Sequence, residues 1–311
     1  MKKRITSFIL LVFMSIVILT GCGGKQEEAD KNKKGKESFP ITITDAYGTE
    51  VTIDKKPERI VSLSPSTVEV LYKLNLQDNI VGVTEYCDYP KEAGSKTKVG
   101  DFNGTNIEKI VELNPDIVFG NPGMSKEDFD KLTGLGIKVI VAEARTFDKI
   151  PDTFKMVGMA TDTLDEAEKL ADDLTNKVNQ IKDKVKDTEK VKAYYVISFG
   201  EAGNWTAGKN TFISDMINMA GGENIADDVD GWKEYSLEKI IEKDPDVMLI
   251  SAMVANDNKD ILNSQEGYKE TAAVKNKNTV IIDDYLTQRP GPRIVDGLEA
   301  IAKALHPEVF K

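Results

Sequence analysis

Ile107-Glu-Lys-Ile-Val-Glu-Leu-Asn-Pro-Asp-Ile-Val-Phe119 returns, 130 residues further on, as Leu237-Glu-Lys-Ile-Ile-Glu-Lys-Asp-Pro-Asp-Val-Met-Leu249. Of these thirteen positions six are identical and six exchange similar side chains; Leu113 against Lys243 is the single mismatch. Each copy reads as a short helix stopped by proline and followed by an apolar strand, since proline cannot continue a helix and disfavours helical backbone in the residue before it. The period is far longer than the roughly 20–50 residues of solenoid units. It fits two domain-sized lobes of the same build, and clefts between such lobes are common sites for small molecules.

Working outward, strand and helix signals alternate on both sides of the repeat. Ile41-Thr-Ile-Thr44 and Glu50-Val-Thr-Ile-Asp54 read as a hairpin around Asp45-Ala-Tyr-Gly48. Arg59–Leu63, Ile80–Val83, Ile117–Gly120 and Ile137–Ala142 read as strands, with helices after Ser66 and over Phe129–Leu135. Ser66-Thr-Val-Glu69 and Thr163-Leu-Asp-Glu166 match capping boxes. Beyond the second, apolar residues at 164, 167, 170, 171, 174, 178, 181 and 185 follow a helical period without Gly or Pro. Such a rod is roughly 33 Å long at 1.5 Å per residue. A packed rod between the lobes predicts little lobe movement on binding. Strand Lys192–Phe199, helix Thr211–Met219, the second repeat copy, strand Thr279–Asp283 and helix Ile294–Leu305 then repeat the plan. The expected fold is α/β: two pseudo-duplicated lobes, each with a central mostly parallel sheet and flanking helices, joined by one long rigid helix.

The first residues bear on location. Lys2-Lys3-Arg4, the apolar run Phe8–Leu19 and Leu19-Thr-Gly-Cys22 make a bacterial lipoprotein signal, with Cys22 as the lipidated residue. The apolar run is shorter than the roughly 20 residues that span a bilayer. Residues 1–21 are therefore expected to be the signal peptide and 22–40 the lipidated cysteine and a flexible, polar tether. Residues 41–160 form the expected first lobe, 161–187 the interlobe helix and 188–311 the second lobe. The net charge of −11 argues against nucleic acid as a partner. With Cys22 lipidated, Cys87 is the only other cysteine and no internal disulfide is expected. The one histidine, His306, lies five residues from the end, which disfavours zinc or manganese capture and histidine catalysis. No nucleophile elbow, phosphate loop, His-Glu-x-x-His or cysteine pair occurs. Asp227-Asp-Val-Asp-Gly231 lacks carboxylates at the first and last positions of a calcium loop and reads as a solvated acidic loop. No metal site and no enzymatic activity are expected.

Aromatic and turn residues gather just before each repeat copy: Tyr86-Cys-Asp-Tyr-Pro90 and Gly100-Asp-Phe-Asn-Gly104 ahead of the first, Gly231-Trp-Lys-Glu-Tyr235 ahead of the second. Trp205 also follows a strand. Loops leaving strand ends line the crevices of α/β sheets. Their aromatics either stack on a ligand or cap the core of their own lobe. Gln288-Arg-Pro-Gly-Pro-Arg293 sets two cations around a rigid turn, where an arginine meets either an anionic or amide-bearing ligand or a carboxylate partner. Glu108 and Glu238 are the matched acids of the two copies, each two residues past a capping position. They favour the helix dipole, and as a symmetric pair they could dock onto a two-subunit membrane partner.

Arg59-Ile-Val-Ser-Leu-Ser-Pro65, Val81-Gly-Val-Thr-Glu-Tyr-Cys-Asp-Tyr-Pro90, the two Glu-Lys-Ile phrases and Arg289-Pro-Gly-Pro-Arg293 together resemble the substrate-binding proteins of iron-siderophore, haem and vitamin B12 ABC importers. The resemblance runs from about Ile41 to the C-terminus, and the tyrosine-rich run most resembles the vitamin B12 binders. It implies a lipid-anchored receptor on the outer face of the cell membrane, expected to be a monomer. The receptor would capture a corrinoid, cobalamin, in the interlobe cleft and deliver it to an ABC permease dimer with its ATPase subunits. By motif position it implies Tyr86, Phe102, Trp205, Trp232 and Arg289 as ligand-binding residues and Glu108 and Glu238 as transporter-docking acids. Asn121 and Tyr285 stand where B12 binders can carry tryptophan and aspartate. A ferric siderophore or tyrosine-ligated haem is the alternative ligand; an extracytoplasmic hydrolase or a purely adhesive lipoprotein would be a different class altogether.

Overall fold

The computed structural model describes residues 39–101, 104–256 and 258–311. The signal segment, Cys22, most of the tether and Phe102 lie outside the described residues. The chain opens with the expected hairpin, β1 (Ile41–Thr44) paired antiparallel with β2 (Glu50–Ile53). Buried Asp45 holds its turn by accepting the backbone N–H groups of Tyr47 and Thr49, and also that of Val141. There follow β3 (Ile60–Ser62), α1 (Pro65–Lys73), β4 (Ile80–Val83), the short pair β5 (Gly100–Asp101) and β6 (Gly104–Thr105), α2 (Ile107–Glu112), β7 (Ile117–Gly120), α3 (Lys126–Gly134) and β8 (Lys138–Val141). Helices α4 (Ile150–Thr161) and α5 (Leu164–Val185) lead to the second lobe. That lobe contains β9 (Val191–Val196), β10 (Trp205–Ala207), α6 (Phe212–Met219), β11 (Gly222–Asn224), β12 (Trp232–Glu234), α7 (Leu237–Lys243) and β13 (Val247–Ser251). It closes with α8 (Ala252–Ala255), α9 (Ala272–Lys275), β14 (Thr279–Ile282), α10 (Asp284–Thr287) and α11 (Ile294–Leu305).

The duplication is visible in the topology. One sheet runs β4-β3-β7-β8 and the other β11-β9-β13-β14, all parallel. Taken in chain order within each lobe, both are second-first-third-fourth. The strands of the two repeat copies, β7 and β13, hold the same place. Their faces alternate between two cores, as period-two side chains must. Ile60, Ile117 and Phe119 of the first sheet join Ala193, Tyr195, Val247 and Leu249 of the second in one apolar cluster, together with Phe154, Val157, Ala167 and Leu174 of α4 and α5. The opposite faces form private cores: Val61, Val118 and Ile110 in the first lobe, Tyr194, Met248 and Ile240 in the second. Burial on both faces explains why the strands read as unbroken apolar runs. The identical repeat residues Ile110 and Ile240 are the buried contacts of α2 and α7.

Helix α5 spans Leu164–Val185, the stretch that the apolar period marks, and lies along α4 and α11. Gly158 permits its close approach to α4, since a Cβ there would sit 2.4 Å from that of Ala167. Both capping boxes are corrected by the structure. Helix α1 begins at Pro65, capped by Ser64, so Glu69 lies within the helix and turns to another partner. Thr163 makes no cap bond; its hydroxyl pairs with that of Thr161 at 2.8 Å.

Candidate functional site

In parallel sheets the loops leaving the C-terminal strand ends line ligand crevices. The loop after β4 carries Tyr86, Cys87, Asp88 and Tyr89; the segment after β14 carries Asp284, Tyr285 and Arg289. These two edges meet. Arg289 Nη1 donates to Asp88 Oδ1 at 2.6 Å and Nη2 reaches Oδ2 at 3.4 Å. The Arg289 guanidinium also stands 4.0 Å above the Tyr285 ring. Beside it Arg293 forms a two-pronged pair with Glu69, at 3.0 and 2.6 Å, and lies 3.7 Å over the Tyr89 ring. Gly291 makes the turn between the arginines fit, because a Cβ there would press on Glu69 at 3.2 Å.

Electrostatics follow from this geometry. Burial works to raise the Asp88 pKa, but the hydrogen bond and charge of Arg289, with the charge of Arg293, outweigh it and hold the carboxyl below its ordinary value. Glu69, with 3 % of its side chain exposed, is pushed up by burial, which the bond and charge of Arg293 only partly offset. Two acids and two guanidinium groups thus form a neutral cluster across the lobe seam.

Buried Asp284 organises the second-lobe edge. It accepts the Tyr195 hydroxyl at 2.7 Å, the Ser251 hydroxyl at 2.8 Å, the Met253 N–H at 3.1 Å and the Gln288 amide at 2.8 Å. Four bonds fix the start of α10 and the residue preceding Arg289. Met253, 82 % exposed, is held out from the same edge.

Trp205 and Trp232 are not loop residues; they lie on the antiparallel ribbon β10–β12. Trp205 faces Glu234 and Trp232 faces Ala207, so the two indoles are diagonal neighbours on one face, with backbones roughly 7–8 Å apart. Both remain about two-fifths exposed, at 42 % and 41 %. The ribbon hangs from the end of β9 through Ile197 N–H to Trp205 C=O at 3.0 Å and the Thr206 hydroxyl to Tyr195 C=O at 2.6 Å. Tyr235, next to the ribbon, is instead a core residue, its hydroxyl 2.8 Å from Asp228 Oδ1 and 3.0 Å from the Ile225 carbonyl oxygen. The acidic loop serves structure: Asp228 binds Lys239 and Lys243.

The structure therefore brings Arg289 to the loop of half-buried Tyr86, and Trp205 to Trp232. Glu108 and Glu238 are both exposed in the first turns of α2 and α7, behind caps made by Asn106 and Ser236. Sequence reading missed Asp88, Glu69, Asp284 and Met253. Asp88 stands inside the tyrosine-rich run, where its charge was the available signal; the other three are identified only by contacts distant in sequence. A cavity of about 380 Å³ opens on the α5 side of the Tyr89–Arg293 stack. Lys73, Lys169, Lys177, Glu166, Asp173 and Asp296 line it, a mixed-charge wall unlike the aromatic ribbon.

A family model described as periplasmic binding protein matches residues 60–286. The Bacillus subtilis ABC transporter substrate-binding lipoprotein YvrC is 34 % identical over the whole of both chains. A cobalamin-binding protein of Halobacterium salinarum is 32 % identical, over 86 % of this chain and 75 % of that protein. The solved structure of a possible iron-binding, periplasmic solute-binding protein from Staphylococcus epidermidis superposes with a TM-score of 0.74 at 32 % identity, over 81 % of this chain and all of that one.

Proposed function

The chain belongs to the periplasmic binding protein family, and from that premise we propose that it is the extracytoplasmic substrate-binding lipoprotein of an ABC importer, taking a corrinoid, cobalamin, into the cleft between its lobes. Cys22 would carry the lipid anchor, and Glu108 and Glu238 would meet the two subunits of the permease. The observation that carries the ligand class is the tryptophan ribbon. Two half-exposed indoles on one face make a flat apolar wall, and flat macrocycles require such walls with a few polar groups at their edge. Arg289, Asp88 and Tyr86 would supply the polar rim. The cobalamin-binding relative supports the same reading.

A ferric chelate is the second reading, favoured by the iron-binding description of the Staphylococcus epidermidis structure. Titration of the purified protein with cyanocobalamin, ferric siderophores and haem, followed by tryptophan fluorescence, separates the two. Trp205 and Trp232 are the only tryptophans, so a light-absorbing ligand against the ribbon should quench most of the emission. Quenching by cyanocobalamin at micromolar concentration supports the corrinoid; quenching by the ferric chelates or haem alone replaces it.

A further inference from the structure

The arginine at the cleft edge is not available as a bare cation. Its guanidinium is joined to Asp88 by the 2.6 Å bond and the longer 3.4 Å contact, and its face is covered by Tyr285 at 4.0 Å. Only 13 % of the Arg289 side chain is exposed, against 46 % of Asp88. A ligand approaching the pair therefore meets the carboxylate more readily than the guanidinium. The neighbouring cation gives no relief, since Arg293 is held by Glu69.

A guanidinium has five N–H donors and a carboxylate about four acceptor positions. With two donors directed at Asp88, Arg289 keeps three, and Asp88 keeps acceptor positions on the same edge. The pair thus presents donors and acceptors side by side with no net charge. A carboxamide has the matching pattern, a carbonyl that accepts and an NH2 that donates. A carboxylate only accepts, and it would lie beside the like charge of Asp88, an arrangement that selects against it.

Resting on the corrinoid reading above, we propose that Asp88 is a specificity-determining residue of the cleft, which, through its pair with Arg289, admits ligands whose rim carries carboxamides and rejects those whose rim carries carboxylates. Replacing Asp88 by the isosteric amide removes the repelling charge and leaves Arg289 positive and able to accept an anionic rim.

The test compares two corrins that share the macrocycle. Cyanocobalamin carries peripheral carboxamides; cobyrinic acid carries carboxylates at the same side chains. The full chain, wild type and D88N, is titrated with both. Wild type should prefer cyanocobalamin by tenfold or more, and D88N should narrow that ratio by about tenfold, chiefly through tighter binding of cobyrinic acid. R289Q, which leaves Asp88 without its cation, should widen the ratio and serves as the second variant should D88N fold poorly. An unchanged ratio in either folded variant, or equal weakening of both ligands, overturns the role of Asp88 while the corrinoid reading stands. Wild type binding neither corrin overturns the reading, and the role of Asp88 falls with it.

Discussion

Asp116 and Asp246 do the same work in the two lobes: each carboxylate accepts a backbone N–H at the start of its lobe's first sheet strand, from Arg59 at 3.0 Å and from Lys192 at 2.9 Å. Each also returns its own N–H to the carbonyl of that residue, at 2.8 Å in both cases. The cation there then reaches back to the end of the repeat helix, Arg59 to the carbonyls of Leu113 and Asn114, Lys192 to that of Lys243. Asn114 and Asp244, just before the prolines, are both left-handed, at φ 44° and 45°. The repeated phrase is a device that ends a helix and sets a strand in register.

Removing that lock should cost stability in either lobe. D116A and D246A are each expected to lose about 1.5–3 kcal/mol, the usual range for hydrogen bonds to a charged group. Urea unfolding reads the change, and wild-type midpoints for both variants would show that the aspartates do not hold the register.

Glu69 and Arg293 form a pair with little access to water, 224 residues apart in sequence. E69M or R293M alone leaves one charge buried without its partner and should cost about 3–5 kcal/mol. The double variant E69M/R293M should cost clearly less than the sum, because neither charge then remains. Additive losses in the denaturation cycle would mean that the two side chains do not act together.

Asp88 and Asp116 each contribute a share of stability that acid removes. For Asp116 burial pushes upward but the N–H groups of Glu58 and Arg59, with Lys55, outweigh it, so its carboxyl too is held below the ordinary value. A folded pKa below the unfolded one means stability that is fully present above the ordinary carboxylate range and lost as pH falls through the folded values. Carboxyl NMR titration should find both residues low, and R289Q should let Asp88 rise while Asp116 stays. A common rise of both would point to a global change rather than the broken pair.

Charge reversal at the exposed acids tests docking. E108K/E238K should abolish cellular uptake of the labelled ligand yet leave the affinity of the purified protein within about twofold, since both acids are exposed in the first turns of their helices. Lost affinity in the double variant would place these acids in ligand binding instead.

Much of the architecture was legible because it rests on local pattern. The long helix follows from its apolar period, and the lobes follow from a phrase whose buried isoleucines and locking aspartates each serve a neighbouring element. Short pieces were less legible. The strands holding Trp205 and Trp232 have three residues each, too few for alternation to register. The Ser66–Glu69 motif resembled a cap because nothing local indicates that Glu69 has an arginine waiting 224 residues away.

By itself the sequence determined two lobes of one plan, the rod between them and the positions that could face a ligand. Periodicity and turn chemistry act within a few residues, so they are written along the chain. Only the tertiary structure decided that Arg289 is tied to Asp88, that Arg293 is tied to Glu69, and that both tryptophans share one ribbon face. Charge pairing depends on distance in space, and residues some 200 positions apart meet only when two sheet edges are brought together. The repeated phrase therefore describes how each lobe is built, while the charge pairs Asp88–Arg289 and Glu69–Arg293 arise only where the lobes touch.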